Sequence, residues 1–163
     1  TEQCGVRYAA AKEDCMSTNQ TISNDSKEIR QVIERWAAAL RTKDLEALLA
    51  SFTPEARTYD LAPPLEQDSK ARREAFAAWF PGFKAIGYAI GRDLDITSGG
   101  DVAFCRSLNR LSGKLNSGDE FAMWVRVTMG LRKVGGSWKI AHAHTSVPFY
   151  MDGSFKAATD LEP

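Results

Sequence analysis

The chain reads as an α+β domain in which three N-terminal helices pack on the concave face of a curved, mainly antiparallel sheet. Three observations predict this. In the first half, apolar residues recur at helical spacing in three separate stretches. From Tyr88 onward, β-branched and aromatic runs alternate with Gly-containing turns, at Ser98-Gly-Gly-Asp101, Asn116-Ser-Gly-Asp119 and Val134-Gly-Gly-Ser137. Helices therefore come first and a strand meander follows, which segregates the helices to one side of the sheet. With 163 residues, the chain is long enough for one domain with a sizeable core.

Residues 1–24 are polar and lack a clear period, so they read as an N-terminal extension, with at most a short helix over 8–12. The domain proper spans 25–148. Asp25 and Glu28 have capping-box spacing, and Ile29, Val32, Ile33, Trp36, Ala37 and Leu40 then form one apolar stripe. Asp44 caps a second, shorter helix that turns Leu45, Leu48, Leu49 and Phe52 inward and ends at Thr53-Pro54-Glu55. Residues 56–61 form a short strand closed by Pro63-Pro64. Asp68 or Ser69 caps a third helix with Phe76, Trp79, Phe80 and Phe83 on its apolar side, and Pro81-Gly82 breaks it. Strands are expected over 88–97, 102–115, 120–133 and 138–148. Residues 149–163 read as a C-terminal tail across the surface.

The last hairpin is the most informative stretch. Gly135-Gly136 can take positive φ at both central turn positions. With an even-length turn, Leu131, Met129, Val127 and Val125 lie opposite Ile140, His142, His144 and Ser146. Alternation then puts Trp138, Ile140, His142, His144 and Ser146 on one face. That face is apolar apart from Ser146 and both histidines of the chain. Such histidines are either hydrogen-bonded core residues or polar groups lining a cavity.

The run Gly135-Gly-Ser-Trp-Lys-Ile-Ala-His-Ala-His-Thr-Ser146, with Pro148 beyond, resembles the last hairpin of the SnoaL-like branch of the NTF2-like superfamily. Ketosteroid isomerases, scytalone dehydratase and the association (hub) domain of calmodulin-dependent kinase II belong to the same superfamily. The hub domain similarly carries Trp followed by His-x-His-x-Ser. The order of elements from about Ser26 to Pro148 also fits. The resemblance implies an NTF2-like cone whose mouth is a small-molecule pocket. In the ketosteroid isomerase branch a proton-shuttling carboxylate lies where the chain enters the sheet after the second helix, and Tyr59-Asp60 occupies that position here.

Alternation sends Tyr59 and Asp60 to opposite faces, so only one of them can face the cavity. An aspartate beside prolines is ordinarily a solvated turn former. Inside the cone, desolvation would raise its pKa toward a range useful for abstracting a proton α to a carbonyl. The expected catalytic set is therefore Asp60 or His144 as proton carrier, with His142 and an arginine at the oxyanion. If the loop after Leu115 is even, Arg106 and Arg110 join the rows of His142 and Ser146; an odd loop puts Asn109 there instead. The even register is expected because Val102, Phe104 and Leu108 then also face the core. Trp36, Trp79, Phe83, Tyr59, Met129 and Ser146 complete the expected ligand-binding set, although each aromatic is also ordinary core material. On the opposite face, small residues around a large aromatic, Trp124 with Arg126, Ala141 and Ala143, predict a homodimer interface.

Composition excludes other classes. There are 21 basic and 21 acidic residues, with no basic-aromatic patch, so nucleic acid is not an expected partner. No apolar run is long enough to span a membrane. The three cysteines show no zinc spacing. Cys105 reads as a small buried hydrophobe, while Cys4 and Cys15 can form a local disulfide. The odd count points to a reducing, cytoplasmic location, with a mature secreted or periplasmic form still compatible. No Gly-x-Ser-x-Gly elbow or phosphate-binding Gly loop occurs, and neither metal nor cofactor is expected. The function that follows is an isomerase, cyclase or dehydratase working by acid–base chemistry on a small apolar or ring-shaped ligand. The alternative is a non-catalytic ligand-binding or hub-like module.

Overall fold

The computed structural model describes residues 24–163. The N-terminal extension, with Cys4 and Cys15, lies outside these residues apart from Asn24 at its end. Helix α1 covers 24–42 of the described chain, followed by α2 (Leu45–Ala50) and α3 (Ser69–Trp79), which a 3-10 turn at Phe80–Gly82 extends. Two helix starts are as expected: Asp44 accepts from the Ala47 N–H at 3.0 Å, and Asp68 from the Ala71 N–H at 2.8 Å. Asp25 is not a cap, because residue 24 is already helical. Its buried carboxylate instead accepts from Lys133 Nζ (2.8 Å) and Trp138 Nε1 (3.1 Å), tying α1 to the last hairpin.

The strands are β1 (Phe52–Tyr59), β2 (Phe83–Ala89), β3 (Asp95–Gly99), β4 (Val102–Leu115), β5 (Glu120–Val134) and β6 (Ser137–Ser146). They form one mixed sheet in the order β1-β6-β5-β4-β2, with β3 also on β4. Only β1 runs parallel to its neighbour, β6; the other pairs are antiparallel. Three expectations change here. Phe52 opens a strand instead of closing a helix, and Pro54 lies within β1, where an edge position and a break in pairing between Phe52 and Arg57 tolerate its missing N–H. The strand expected over 88–97 is two strands, β2 and β3. Gly91 makes the corner between them, since a Cβ there would sit 2.1 Å from the Leu108 carbonyl oxygen.

Helix α1 buries Ile29, Val32, Ile33, Trp36, Ala37 and Leu40 against Val125, Val127, Met129, Leu131, Trp138 and Ile140 of the sheet. The sheet thus has an inner face under the helices and an outer face that no described helix covers. After β6 the chain folds back, with Tyr150 N–H donating to Lys156 O and Ala158 N–H to Pro148 O, and Ala158 is buried. No described helix is long and apolar enough to cross a membrane. Cys105 is buried as expected, and burial pushes its thiol up to about 11, which keeps it protonated and unreactive.

Candidate functional site

The site begins with the alternation of β1. Ala56 and Thr58 are buried on the inner side, Arg57 and Tyr59 project outward, and Asp60 follows just beyond the strand with its residue surface exposed. Water reaches Asp60, yet enough protein surrounds it that burial raises its carboxyl above the usual aspartate value; the Leu61 N–H, donating at 2.7 Å, opposes this. The charge of Asp60 is felt at Tyr88, a buried residue of β2.

Tyr88 is held by Asn109 of β4. Asn109 Oδ1 accepts from the Gly91 N–H at 3.0 Å, which leaves its Nδ2 to donate to Tyr88 Oη at 2.8 Å. The phenol therefore receives one hydrogen bond and keeps its own O–H for another acceptor. Burial chiefly, with the Asp60 charge adding to it against the Asn109 hydrogen bond, pushes the Tyr88 pKa up to about 12. It is a neutral donor at any ordinary pH. The Trp36 ring stands edge-on to Tyr88 at 5.1 Å, and its buried Nε1 has no partner.

Around this pair the inner face is apolar and incompletely covered. Leu111, in register with Tyr88, and Met123, in register with Leu111, are only half-buried. Phe76 and Trp79 of α3 are likewise half-buried and stand edge-on to each other, in an aromatic series that continues through tilted contacts to Phe80 and Phe83. A carboxyl of raised pKa, a neutral O–H donor that feels its charge, and the apolar walls beside that donor make up the candidate site. This combination suits removal of a proton from carbon beside a carbonyl that Tyr88 can hold.

The histidines are elsewhere. The turn at Gly135-Gly136 has φ of +56° and +78°, and the expected register holds from Val134↔Ser137 to Leu131↔Ile140. The pairing then slips by one residue: Gly130 pairs with His142, Thr128 with His144 and Arg126 with Ser146. Ala141 is the extra residue of a β-bulge, and a one-residue bulge exchanges the two faces of the strand beyond it. Trp138 and Ile140 point inward, then Ala143; His142, His144 and Ser146 join the outer face. There His142 Nδ1 donates to Arg57 O at 2.8 Å, and the Tyr59 ring lies edge-on to His142 and His144 at 4.8 and 5.7 Å.

The loop after Leu115 is odd, so β4 takes the other register. Asn109 pairs with Val125 on the inner face and is 1% exposed, while Arg106 pairs with Thr128 and Arg110 with Trp124 on the outer face. Arg106 forms an ion pair with Asp95 at 3.2 Å. Of the remaining expected ligand residues, Trp36, Phe83 and Met129 are buried in the core and Trp79 is half-buried at its edge. Of the expected interface, Trp124 and Arg126 lie on the outer face and Ala141 forms the bulge, but Ala143 belongs to the core. Among the described residues no three His, Cys, Asp or Glu side chains are placed to hold a metal ion.

Two residues of this site, Tyr88 and Asn109, are not singled out by sequence reasoning as functional groups. Asn109 appears there only as the consequence of an odd loop. The available signal was a polar residue between Leu108 and Leu111 in a strand whose preceding inward positions, Cys105 and Ser107, are small.

Residues 29–150 match the model of the SnoaL-like domain. An NTF2-like protein of unknown function from Pseudomonas putida KT2440 is 29% identical, covers 86% of this chain and 98% of its own, and superposes with a TM-score of 0.77. A candidate scytalone dehydratase from Novosphingobium aromaticivorans DSM 12444 is 16% identical, covers 88% of this chain and 95% of its own, and gives a TM-score of 0.73. A ketosteroid isomerase-like protein from Erwinia carotovora atroseptica SCRI1043 is 21% identical, covers 74% and 93%, and gives 0.63. The last two likenesses show the fold alone. No curated protein sequence matches the chain.

Proposed function

The chain belongs to the SnoaL-like family, and we propose that it is a cofactor-independent acid–base enzyme of the isomerase, cyclase or dehydratase type. The observation that supports this reading is the raised carboxyl pKa of Asp60, whose charge reaches the buried Tyr88. Asp60 in its carboxylate form takes a proton from a carbon next to a carbonyl. Tyr88, held by Asn109, donates its O–H to the carbonyl oxygen as negative charge develops there. Return of the proton to another carbon gives an isomer, and expulsion of a β-hydroxyl gives a dehydrated product. The half-buried Trp79, Leu111 and Met123 exclude water from the ring of the ligand.

Deuterium exchange tests this without knowledge of the natural substrate. In D2O, wild-type protein should accelerate exchange at the α-carbon of a cyclic aromatic ketone such as 1-tetralone, followed by NMR. Asp60→Asn should abolish the acceleration and Tyr88→Phe should reduce it. Exchange equal in wild type and Asp60→Asn removes the acid–base reading.

A second reading, an assembling module, is favoured by the outer face. Tyr59, Val102 and Phe104 are exposed there, on the same sheet surface as Trp124 and Arg126, which no described helix covers. A second copy packing on this face gives a homodimer, and Trp124→Glu should then sediment as a monomer. A wild-type chain that is itself monomeric at micromolar concentration ends this reading. The two readings are compatible, because they use opposite faces.

A further inference from the structure

Among the described residues Arg72 of α3 is the largest of the fully buried side chains, at 2% exposure, and no carboxylate lies within ion-pair distance of it. Its Nη1 donates to Ala56 O at 3.3 Å and to Thr58 Oγ1 at 3.4 Å, both long bonds. The guanidinium lies 4.1 Å above the Phe52 ring. Among the described residues its Nε is buried without a partner, and Nη2 makes no hydrogen bond. Asp68, one turn earlier, contributes some attraction, but its carboxylate is occupied in capping α3 and facing Arg57 at 3.7 Å.

A second orphan lies beside it. Gln67 is bridged to Thr58 by two backbone hydrogen bonds of 3.0 and 2.9 Å, which puts their side chains on the same side. Gln67 is 2% exposed, and its Oε1 is also without a partner. A buried guanidinium needs its charge and its donors matched, and its planar fork matches a carboxylate above all. Thr58, the residue that Arg72 and Gln67 share, lies on the inner side of β1, two positions before Asp60. Phe76, half-buried, stands one turn further along α3 from Arg72.

We propose that Arg72, with Thr58 and Gln67, forms a subsite for the carboxylate of the ligand, so that the substrate is an organic anion carrying a ring. The Nε–H and Nη2–H edge of Arg72 receives the carboxylate, and the Gln67 amide, turned to present its NH2, donates to the same group. The reacting carbon then lies toward Asp60, and the ring rests on the aromatic series of α3. Arg72 is closed off in the free chain, so binding loosens the contact between α3 and β1. This inference rests on the inner face being a ligand site. The competing role is purely structural: Arg72 caps the Ala56 carbonyl where the pairing of β1 with β6 is interrupted.

Benzoate and benzamide separate the two, being alike in shape and different in charge. Titrated by calorimetry at equal ionic strength, benzoate should bind wild-type protein at least about tenfold more tightly than benzamide, a difference of about 1.4 kcal/mol. Arg72→Met should abolish this preference, bringing the two affinities to within about twofold of each other. Arg72→Lys, which keeps the charge and is the safer variant for folding, should retain only part of it. The Arg72 Nε–H resonance of wild-type protein should shift with benzoate and not with benzamide. Equal affinity for the two probes removes the anion subsite but leaves the cone as a ligand site, as does a preference that survives in Arg72→Met. Binding of neither probe removes the ring-ligand reading and the subsite together.

Discussion

The two faces of the sheet treat their polar residues in opposite ways. On the inner face Asn109 is 1% exposed and has both ends of its amide engaged, and Tyr88 is held so that one proton remains to give. On the outer face His144 is exposed, and Arg57 and Arg106 pair with carboxylates in solvent at 3.2–3.8 Å. Such exposed pairs contribute little. One strand, β6, serves both faces, and a single residue, Ala141, decides which of its side chains goes where. The difference teaches that register, before residue type, decides which polar groups of this sheet are enclosed and which are solvated.

The largest expected effect breaks the comparison at its functional end. Asp60→Asn should lower any α-proton exchange activity about 10³-fold, within the usual contribution of a general base, whereas His144→Asn should leave it unchanged. The pH profile carries a further sign. Because burial raises the Asp60 pKa, the active carboxylate form should be lost as pH falls through a value above the ordinary aspartate 3.8. No alkaline limb should come from Tyr88 until about 12. An acid limb at the ordinary value places Asp60 in open solvent.

The bulge itself can be tested by adding charge on either side of the strand. Ala143, 9% exposed, faces the core in register with Thr58, which Arg72 contacts, and Ala143→Lys should destabilise the chain by about 3 kcal/mol or more, since the new ammonium is buried beside an unpaired guanidinium. His144→Lys, one residue on, should stay within about 0.5 kcal/mol. Urea denaturation of both variants measures the contrast. Reversed magnitudes would mean that the register follows the turn without the slip at Ala141.

The donor end is expected to respond less than the base. Tyr88→Phe keeps the ring against Trp36 but removes the O–H, and should cost about 10²-fold in exchange rate. Asn109→Leu frees the phenol and removes the Gly91 contact as well. It should therefore lower stability in addition to rate, and the pair separates donation from positioning.

Much of this architecture was legible. The apolar stripe of α1, the caps at Asp44 and Asp68 and the Gly135-Gly136 turn each follow from local rules, and each is present. The α+β arrangement followed from their order. Which side chains of β4 and β6 face inward was not legible, for two local reasons. Loop parity after Leu115 reverses every side chain of β4, and sequence cannot distinguish a four-residue from a five-residue loop at Asn-Ser-Gly-Asp. The bulge was visible only as a phase change: Trp138 and Ile140 are apolar at even positions, then Ala143 and Val147 at odd ones. Arg72 was hidden for a different reason. Between Lys70 and Glu74 it reads as part of a solvated helix face, and only the packing of α3 on β1 shows it to be enclosed.

The smallest expected effect concerns the part of β6 before the bulge, where phase is pinned. Trp138 donates to Asp25, and Lys133 sits 2.8 Å from the same carboxylate. The Lys133 hydrogen bond first, with Trp138 and the lysine charge adding to it against burial, holds the Asp25 carboxyl below the usual 3.8. A carboxyl whose folded pKa is depressed stabilises the fold above its unfolded value, and that contribution is lost as pH falls through the folded value. Asp25→Asn keeps an oxygen for Trp138 and removes only the charge. With Lys133 a quarter exposed, solvent screening limits the cost to about 1 kcal/mol near neutral pH. Urea denaturation across pH 2–7 should show the two proteins converging below about pH 4. A constant gap down to pH 2 would assign the cost to lost packing at the closed end. In either case the Asp60 exchange chemistry should be untouched, because the clamp and the site lie on opposite sides of the bulge.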